Sequence, residues 1–251
     1  MRGFLGSREL FERDGFIVLP GFVSTVEVDR ILGEVERYVR DVVPGMPPEE
    51  VYYEDRGDPS SLKQLQRLSS HDSFFEELGQ RGAIPRLAES LLGEPVLLRN
   101  LQYFDKPASR SRPTPPHQDG FYFPITPNRA VTLWMALDDV GEEQGCVRYL
   151  RGSHLGGLRS HEESGVLGFS RSIRRPEELE QAEEVAVPCR AGDLIAHHSM
   201  TIHRAEENRS PDRSRRALGF VYFAASVEVD EEQASAYQAR LDRELRAAGR
   251  I

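Results

Sequence analysis

The chain has 251 residues, enough for one large domain with a full core, and its 39% hydrophobic and 29% charged residues are ordinary for a globular protein. A formal net charge of -9 argues against nucleic acid or an anionic membrane as a partner, because both are bound through an excess of Lys and Arg. Two cysteines, Cys146 and Cys189, are too few for a disulfide framework, and no run approaches the ~18 apolar residues of a membrane span.

The opening, MRGFLGSRELFERDGF, mixes charges into its apolar residues and lacks a signal-peptide core, which predicts a cytoplasmic protein. The first clear element is a helix in STVEVDRILGEVERYVRDVV. Ser24 and Glu27 form a capping-box pattern, and Val28, Ile31, Leu32, Val35, Val39 and Val42 recur at helical spacing. PGMPPEE stops it, and residues 43–61, rich in Pro, Gly and charge, read as loop. Two shorter helices follow around HDSFFEELGQ and IPRLAESLLG, the second ended by Gly93 and Pro95.

From residue 96 the character changes. VLLRNLQYF, AVTLWMALDDV, CVRYL, EEVAVP, DLIAHHS and ALGFVYFAAS are short β-rich runs separated by Gly, Pro and Asn turns, the pattern of a sandwich or barrel. Residues 155–182 interrupt them as a lid-like insert, and EEQASAYQARLDRELRAAGR is a polar surface helix within 230–249. No repeat or linker splits the chain. The expected architecture is one domain, 1–251, with an all-β core and flanking helices: a helical part over 1–95, a jelly-roll barrel over 96–226 and the C-terminal helix.

One stretch stands apart: HQDGFYFP, residues 117–124. On a strand, residues i and i+2 share a face, so His117 and Asp119 can hold one ion together. A lone pair of this kind is common, and a third ligand is needed. His203, in GDLIAHHSMTIHRAEENRSPDRSRRAL, is the best candidate, after a strand-like run and before an arginine cluster (Arg209, Arg213, Arg215, Arg216) suited to a local anion. Two imidazoles and a carboxylate on one face of a metal leave the other positions open, as in non-haem Fe(II) oxygenases. Zinc with an open water site is the chemical rival.

These motifs resemble the phytanoyl-CoA dioxygenase family of Fe(II)/2-oxoglutarate-dependent oxygenases. FERDGFIVLPGFVS, PPHQDG, the Trp of VTLWMALDDV, EEQGCVRYLRGSH and H-x4-N-x-S…RRAL occur in the family's order over nearly the whole chain. The resemblance implies a double-stranded β-helix, a cupin-like jelly roll. It also implies Fe(II) on His117, Asp119 and His203, with 2-oxoglutarate and O2 as co-substrates. The implied reaction is hydroxylation of an unactivated C–H of a small-molecule substrate, with release of succinate and CO2. Related halogenases carry a small residue in place of the carboxylate, so Asp119 argues for hydroxylation.

The far carboxylate of 2-oxoglutarate needs a cation, and Arg offers a two-pronged, permanently charged one. Arg215 and Arg216 compete for that role. Strand parity favours Arg215, which shares its face with the small Ala217 and Gly219, whereas Arg216 shares one with Leu218, Phe220 and Tyr222. The resemblance adds Lys63, Gln102 and Trp134 as co-substrate contacts, against plain readings as a surface lysine, a strand polar residue and a core aromatic.

The chain departs from the family at Ala205, where relatives carry a polar residue, and at Arg151, where they carry Pro; the latter reads as turn variation or as a substrate-facing charge. His198 is expected to support the site and His197 to face away from it. His154 is expected in a turn; His71 and His161 suggest no chemistry. At least one of Phe121, Tyr122 and Phe123 should wall the site while another packs outward. Arg171, Arg174 and Arg175 in the insert read either as contacts for an anionic substrate or as a solvated loop. Two other classes stay open: a zinc-type hydrolase or isomerase on the same triad, and a non-catalytic small-molecule-binding relative.

Overall fold

The structure is a computed structural model that describes residues 6–108, 111–174 and 183–251. Its helices are α1 (Ser7–Asp14), α2 (Thr25–Asp41), α3 (Leu68–His71), α4 (Ser73–Gln80), α5 (Ala83–Leu92) and α6 (Glu231–Ala247). The strands before the insert are β1 (Phe16–Leu19), β2 (Val51–Tyr53), β3 (Leu62–Leu65), β4 (Val96–Lys106), β5 (Thr114–His117), β6 (Ile125–Thr126), β7 (Ala130–Ala136) and β8 (Val147–Leu150). After them come β9 (His161–Val166), β10 (Phe169–Ile173), β11 (Glu184–Val187), β12 (Leu194–His198), β13 (His203–Ala205), β14 (Arg215–Ala224) and β15 (Glu228–Val229).

Two antiparallel sheets face each other. The major sheet has seven strands in the order β1-β12-β7-β14-β4-β3-β2, and the minor sheet has four in the order β11-β8-β13-β5. Alternation along β7 explains the layering. Leu133 and Met135 point to the helices and Trp134 and Ala136 to the interior, because β-strand side chains alternate between faces. On the outer face, Val28, Ile31 and Val35 of α2 and Leu87 and Leu91 of α5 join Leu133, Leu218 and Phe220 in one core. Each such buried side chain contributes about 1.5–3 kcal/mol relative to exposure, so the helices are held by their apolar stripes. The α2 start is capped as its sequence requires: Ser24 Oγ accepts from the Glu27 N–H at 3.2 Å. On the inner face Trp134, Ala136, Ile195 and Ala217 meet Val147, Tyr149 and Val187 of the minor sheet.

The jelly-roll expectation is met, with corrections at its margins. The segment 1–95 is not purely helical, since it supplies β1, β2 and β3 to the major sheet. These runs of three or four residues carry too few periods to be legible alone; pairing with β12 and β4 makes them strands. Residues 43–61 contain β2 and three short 3-10 turns. Within the insert 155–182, the described part is a hairpin, β9 with β10. The C-terminal helix α6 has no buried residue, although it borders the interior cavity.

One glycine bears on the interior. Gly145, just before β8, has φ +70, and a Cβ there would lie 2.3 Å from the Glu206 carbonyl oxygen. Its own carbonyl accepts a hydrogen bond from Arg215 Nη1 at 2.8 Å. Gly145→Ala is therefore expected to destabilise the protein by more than ~1 kcal/mol; urea denaturation of the two proteins measures it, and an unchanged midpoint would contradict the close approach.

Candidate metal centre

His117 closes β5 and His203 opens β13, and the register of the paired strands sets them opposite each other. Their ring centroids are 4.2 Å apart. A backbone carbonyl takes the Nδ1 proton of each ring, Pro115 O at 2.8 Å from His117 and Thr201 O at 3.0 Å from His203. That choice of tautomer leaves both Nε2 lone pairs facing one space. Asp119 Oδ1 completes the set, 3.5 Å from His117 Nε2 and 3.6 Å from His203 Nε2. One ligand atom from each residue lies within 4.8 Å of the others. Three electron-pair donors so close, with no proton to share, call for a cation among them.

Burial, then the neighbouring imidazoles of His117 and His197, which disfavour a positive charge on His203, hold it well below the usual imidazole range, so it is neutral and able to ligate. Burial alone would raise the Asp119 carboxyl, but His203, His117 and His197 outweigh it and hold Asp119 well below the usual carboxylate range. Asp119 Oδ2 accepts from Thr132 Oγ1 at 2.6 Å and from His197 Nε2 at 3.1 Å.

The strand-parity argument for Asp119 is corrected by the structure. β5 ends at His117, and Asp119 opens a 3-10 turn, Asp119–Phe121. Gln118 makes that turn possible. It is fully buried; its Nε2 donates to Gly157 O at 2.9 Å and Met200 O at 2.7 Å, and its Oε1 accepts from Arg159 N at 2.7 Å. The Gln118 N–H donates to His161 Nε2 at 3.1 Å, and the His161 ring stacks on Phe121 at 4.2 Å. Burial pushes His161 down to about 4, which keeps it a neutral acceptor. Sequence reasoning missed both residues. Position 118, between two ligands, was the available signal.

The parity of the histidine pair is also inverted. His197 lies opposite Thr132 in β7, on the inner face with Ile195, whereas His198 points outward toward Phe11 and His154. His154 lies in the expected turn and anchors to Glu12 O at 3.0 Å. His71 bonds Glu50 at 2.6 Å, far along the chain from the ligands.

A cavity of about 1710 Å³ opens from the three donors. Phe121, Tyr122 and Phe123 all line it; the turn replaces the alternation that would have sent one outward. Tyr122 Oη donates to Arg171 O at 3.1 Å, fastening the hairpin to this wall. Trp134, Gln102 and Arg215 line the same cavity. Arg215 lies over Trp134 at 5.4 Å, and its Nε has no hydrogen-bond partner although it is buried. Burial pushes the guanidinium down to about 10. A buried, half-satisfied cation is costly without an anion. Arg216 points the other way and pairs with Asp138 at 2.7 Å. Gln102 Oε1 accepts from Gln64 Nε2 at 2.7 Å.

Lys63 is the predicted site residue that the structure does not bring to the cavity. Its Nζ bonds Glu54 at 2.7 Å, each side chain 9% exposed, and its neighbour Gln64 lines the cavity instead. Ala205 lines the cavity with no polar group. Arg151 pairs with Asp14 and Glu183, anchoring the N-terminal segment and not facing the cavity. In the insert, Arg171 lines the cavity 3.7 Å from Glu163, Arg174 is exposed, and Arg175 lies outside the described residues. Lys63→Met is expected to cost about 3–5 kcal/mol by stranding the Glu54 carboxylate. Adding Glu54→Leu should recover most of that in chemical denaturation; no recovery would mean that Lys63 acts elsewhere.

A profile of the phytanoyl-CoA dioxygenase family matches residues 11–217. The chain is 29% identical over 226 residues to a probable alpha-ketoglutarate-dependent hypophosphite dioxygenase of Stutzerimonas stutzeri, covering 88% of this chain and 78% of that one. It is 28% identical over 220 residues to the peroxisomal phytanoyl-CoA dioxygenase of Rattus norvegicus, covering 82% of this chain and 64% of the rat protein, under two thirds of its length. Among solved structures, the epimerase SnoN in complex with Fe3+, alpha ketoglutarate and nogalamycin RO is similar, with a TM-score of 0.71 at 28% identity, covering 91% of this chain and 86% of that one. No helix among the described residues is long and apolar enough to cross a membrane. The chain belongs to the phytanoyl-CoA dioxygenase family, a family of Fe(II)- and 2-oxoglutarate-dependent oxygenases.

Proposed function

We propose that the protein is an Fe(II)- and 2-oxoglutarate-dependent dioxygenase that hydroxylates an unactivated C–H of a small-molecule substrate, releasing succinate and CO2. The observation that carries this reading is the pairing of two features in one cavity: three converging lone-pair donors and a buried guanidinium short of a partner. His117, Asp119 and His203 are the donor set expected for Fe(II), and Arg215 is matched to the far carboxylate of a dicarboxylic keto acid. Bound together, iron and 2-oxoglutarate supply the activation of O2 that oxidation of an unactivated C–H requires.

The rest of the chemistry falls to the chain. Arg215 binds and orients the co-substrate, with Trp134 packed along the guanidinium and Gln102 on the same wall. Phe121, Tyr122 and Phe169 exclude water next to His117; Phe169 lies 5.2 Å from that ring and Tyr122 6.3 Å. A zinc-type hydrolase on the same triad leaves Arg215 stranded, which is why it ranks second.

Charge bears on the substrate. Eight acidic side chains and seven arginines line the cavity, with no lysine among the described lining residues. Most of these arginines are already paired: Arg67 with Glu50, Arg99 with Glu231, Arg171 with Glu163 and Arg240 with Glu244. Such a lining offers little to a polyphosphate, so a coenzyme A thioester is a poor candidate and an uncharged or cationic molecule a better one.

Arg215→Met is expected to raise the 2-oxoglutarate concentration needed for half-saturation roughly 10- to 100-fold, the worth of a charge-assisted hydrogen bond, while Arg216→Met leaves it unchanged. The reverse order in a 2-oxoglutarate titration would overturn the assignment. The reaction type is read by screening small molecules under 18O2. A product that gains one labelled oxygen supports hydroxylation. Turnover that yields an epimer or a new ring without labelled oxygen refutes it. Acyl-CoA thioesters are expected neither to turn over nor to compete.

A further inference from the structure

The two oxygens of Asp119 are treated differently. Oδ1 faces the ligand nitrogens of His117 and His203, and Oδ2 is held from behind by Thr132 and His197. His197 Nδ1 lies 3.0 Å from the Tyr149 hydroxyl. In the neutral imidazole only one arrangement of protons satisfies both contacts. An unprotonated Nε2 would set its lone pair against a carboxylate oxygen 3.1 Å away. Nε2 therefore carries the hydrogen and donates to Oδ2, and Nδ1 accepts from Tyr149 Oη. Tyr149 is itself fixed: it is fully buried in β8 and stacks on Phe16 with ring centroids 4.7 Å apart and planes 14° apart. Phe16 lies opposite His197 in the β1–β12 pair, so a continuous chain runs from the first strand through Tyr149 and His197 to Asp119.

We infer that His197 is a positioning residue for the metal centre: with Thr132 it occupies Asp119 Oδ2 and so leaves Oδ1 as the single oxygen offered to the ion. The inference rests on the proposed iron reading. A carboxylate free to rotate offers both oxygens to a divalent ion and fills a position that the co-substrate or O2 needs. Two donors on Oδ2 oppose that rotation. Hydrogen-bond partners of metal ligands are typically worth 10- to 100-fold in metal affinity. Phe at position 197 fills similar space without either hydrogen bond, whereas Gln sets an amide N–H where Nε2–H stands.

The test is Mn(II) uptake by the metal-free full chain, followed by electron paramagnetic resonance of the free ion, with the Asp carboxylate stretches of the loaded protein recorded by infrared difference spectroscopy. His197→Phe is expected to weaken Mn(II) binding roughly 10- to 100-fold and to shift the carboxylate bands toward the two-oxygen pattern. His197→Gln is expected to restore both. Tyr149→Phe, which keeps the packing but frees the tautomer, should weaken binding by a smaller factor and so gives a second reading should His197→Phe fail to fold. Wild-type affinity and unchanged carboxylate bands in the folded variants would overturn the inference. Failure of the wild type to take up Mn(II) would instead overturn the proposed metal function, and with it this role for His197.

Discussion

The structure turns on an electrostatic conflict. Two imidazole nitrogens and a carboxylate oxygen point their lone pairs into one space, and the backbone enforces it by taking the other proton of each ring at Pro115 and Thr201. Neither ring can turn its N–H inward without giving up its bond to that carbonyl, a buried one in the case of Thr201, which itself costs free energy. The β5–β13 register and the Gln118 turn then hold the three groups together against their repulsion. A divalent cation resolves the conflict, and this arrangement is the physical basis for reading a metal centre here.

A second unresolved charge lies in the same cavity. Arg215 and Arg216 are neighbours in sequence and opposites in environment. Arg216 finds Asp138 on the outer face, while Arg215 is buried near Trp134, Cys146 and Tyr149 and donates to the Gly145 carbonyl. The outer pair is satisfied within the protein, whereas the inner guanidinium keeps a buried Nε without a hydrogen-bond partner. A site that combines an unmet cation requirement with an unmet anion requirement suits a chelating dianion that bridges them. Hydrolysis at a lone metal ion needs only one of the two.

Much of this was legible in the residues. The His117–Asp119 pair, the distant His203 and the preference for Arg215 over Arg216 follow from ligand chemistry and strand parity, and the barrel follows from short β-rich runs. The failures have physical causes. Asp119 reaches the site through a turn, so a period of two gave the correct residue for the wrong reason. The histidine pair was misjudged because the face of β12 is set by its register with Thr132 in β7, a tertiary fact that a five-residue strand does not carry. Lys63 looked like a ligand contact until Glu54, nine residues earlier and also buried, claimed its ammonium group. The insert's His161 had no visible role because its partner, the Gln118 N–H, lies 43 residues away.

The central claim is that His117, Asp119 and His203 hold iron that a 2-oxo acid chelates. Anaerobic titration of the metal-free protein with Fe(II) and then 2-oxoglutarate tests it most directly, through the visible charge-transfer absorption of the chelate. The account predicts that the band appears in the wild type and is lost in His117→Ala. Absence of the band in a wild-type protein that binds zinc tightly would contradict the account and favour the hydrolytic alternative.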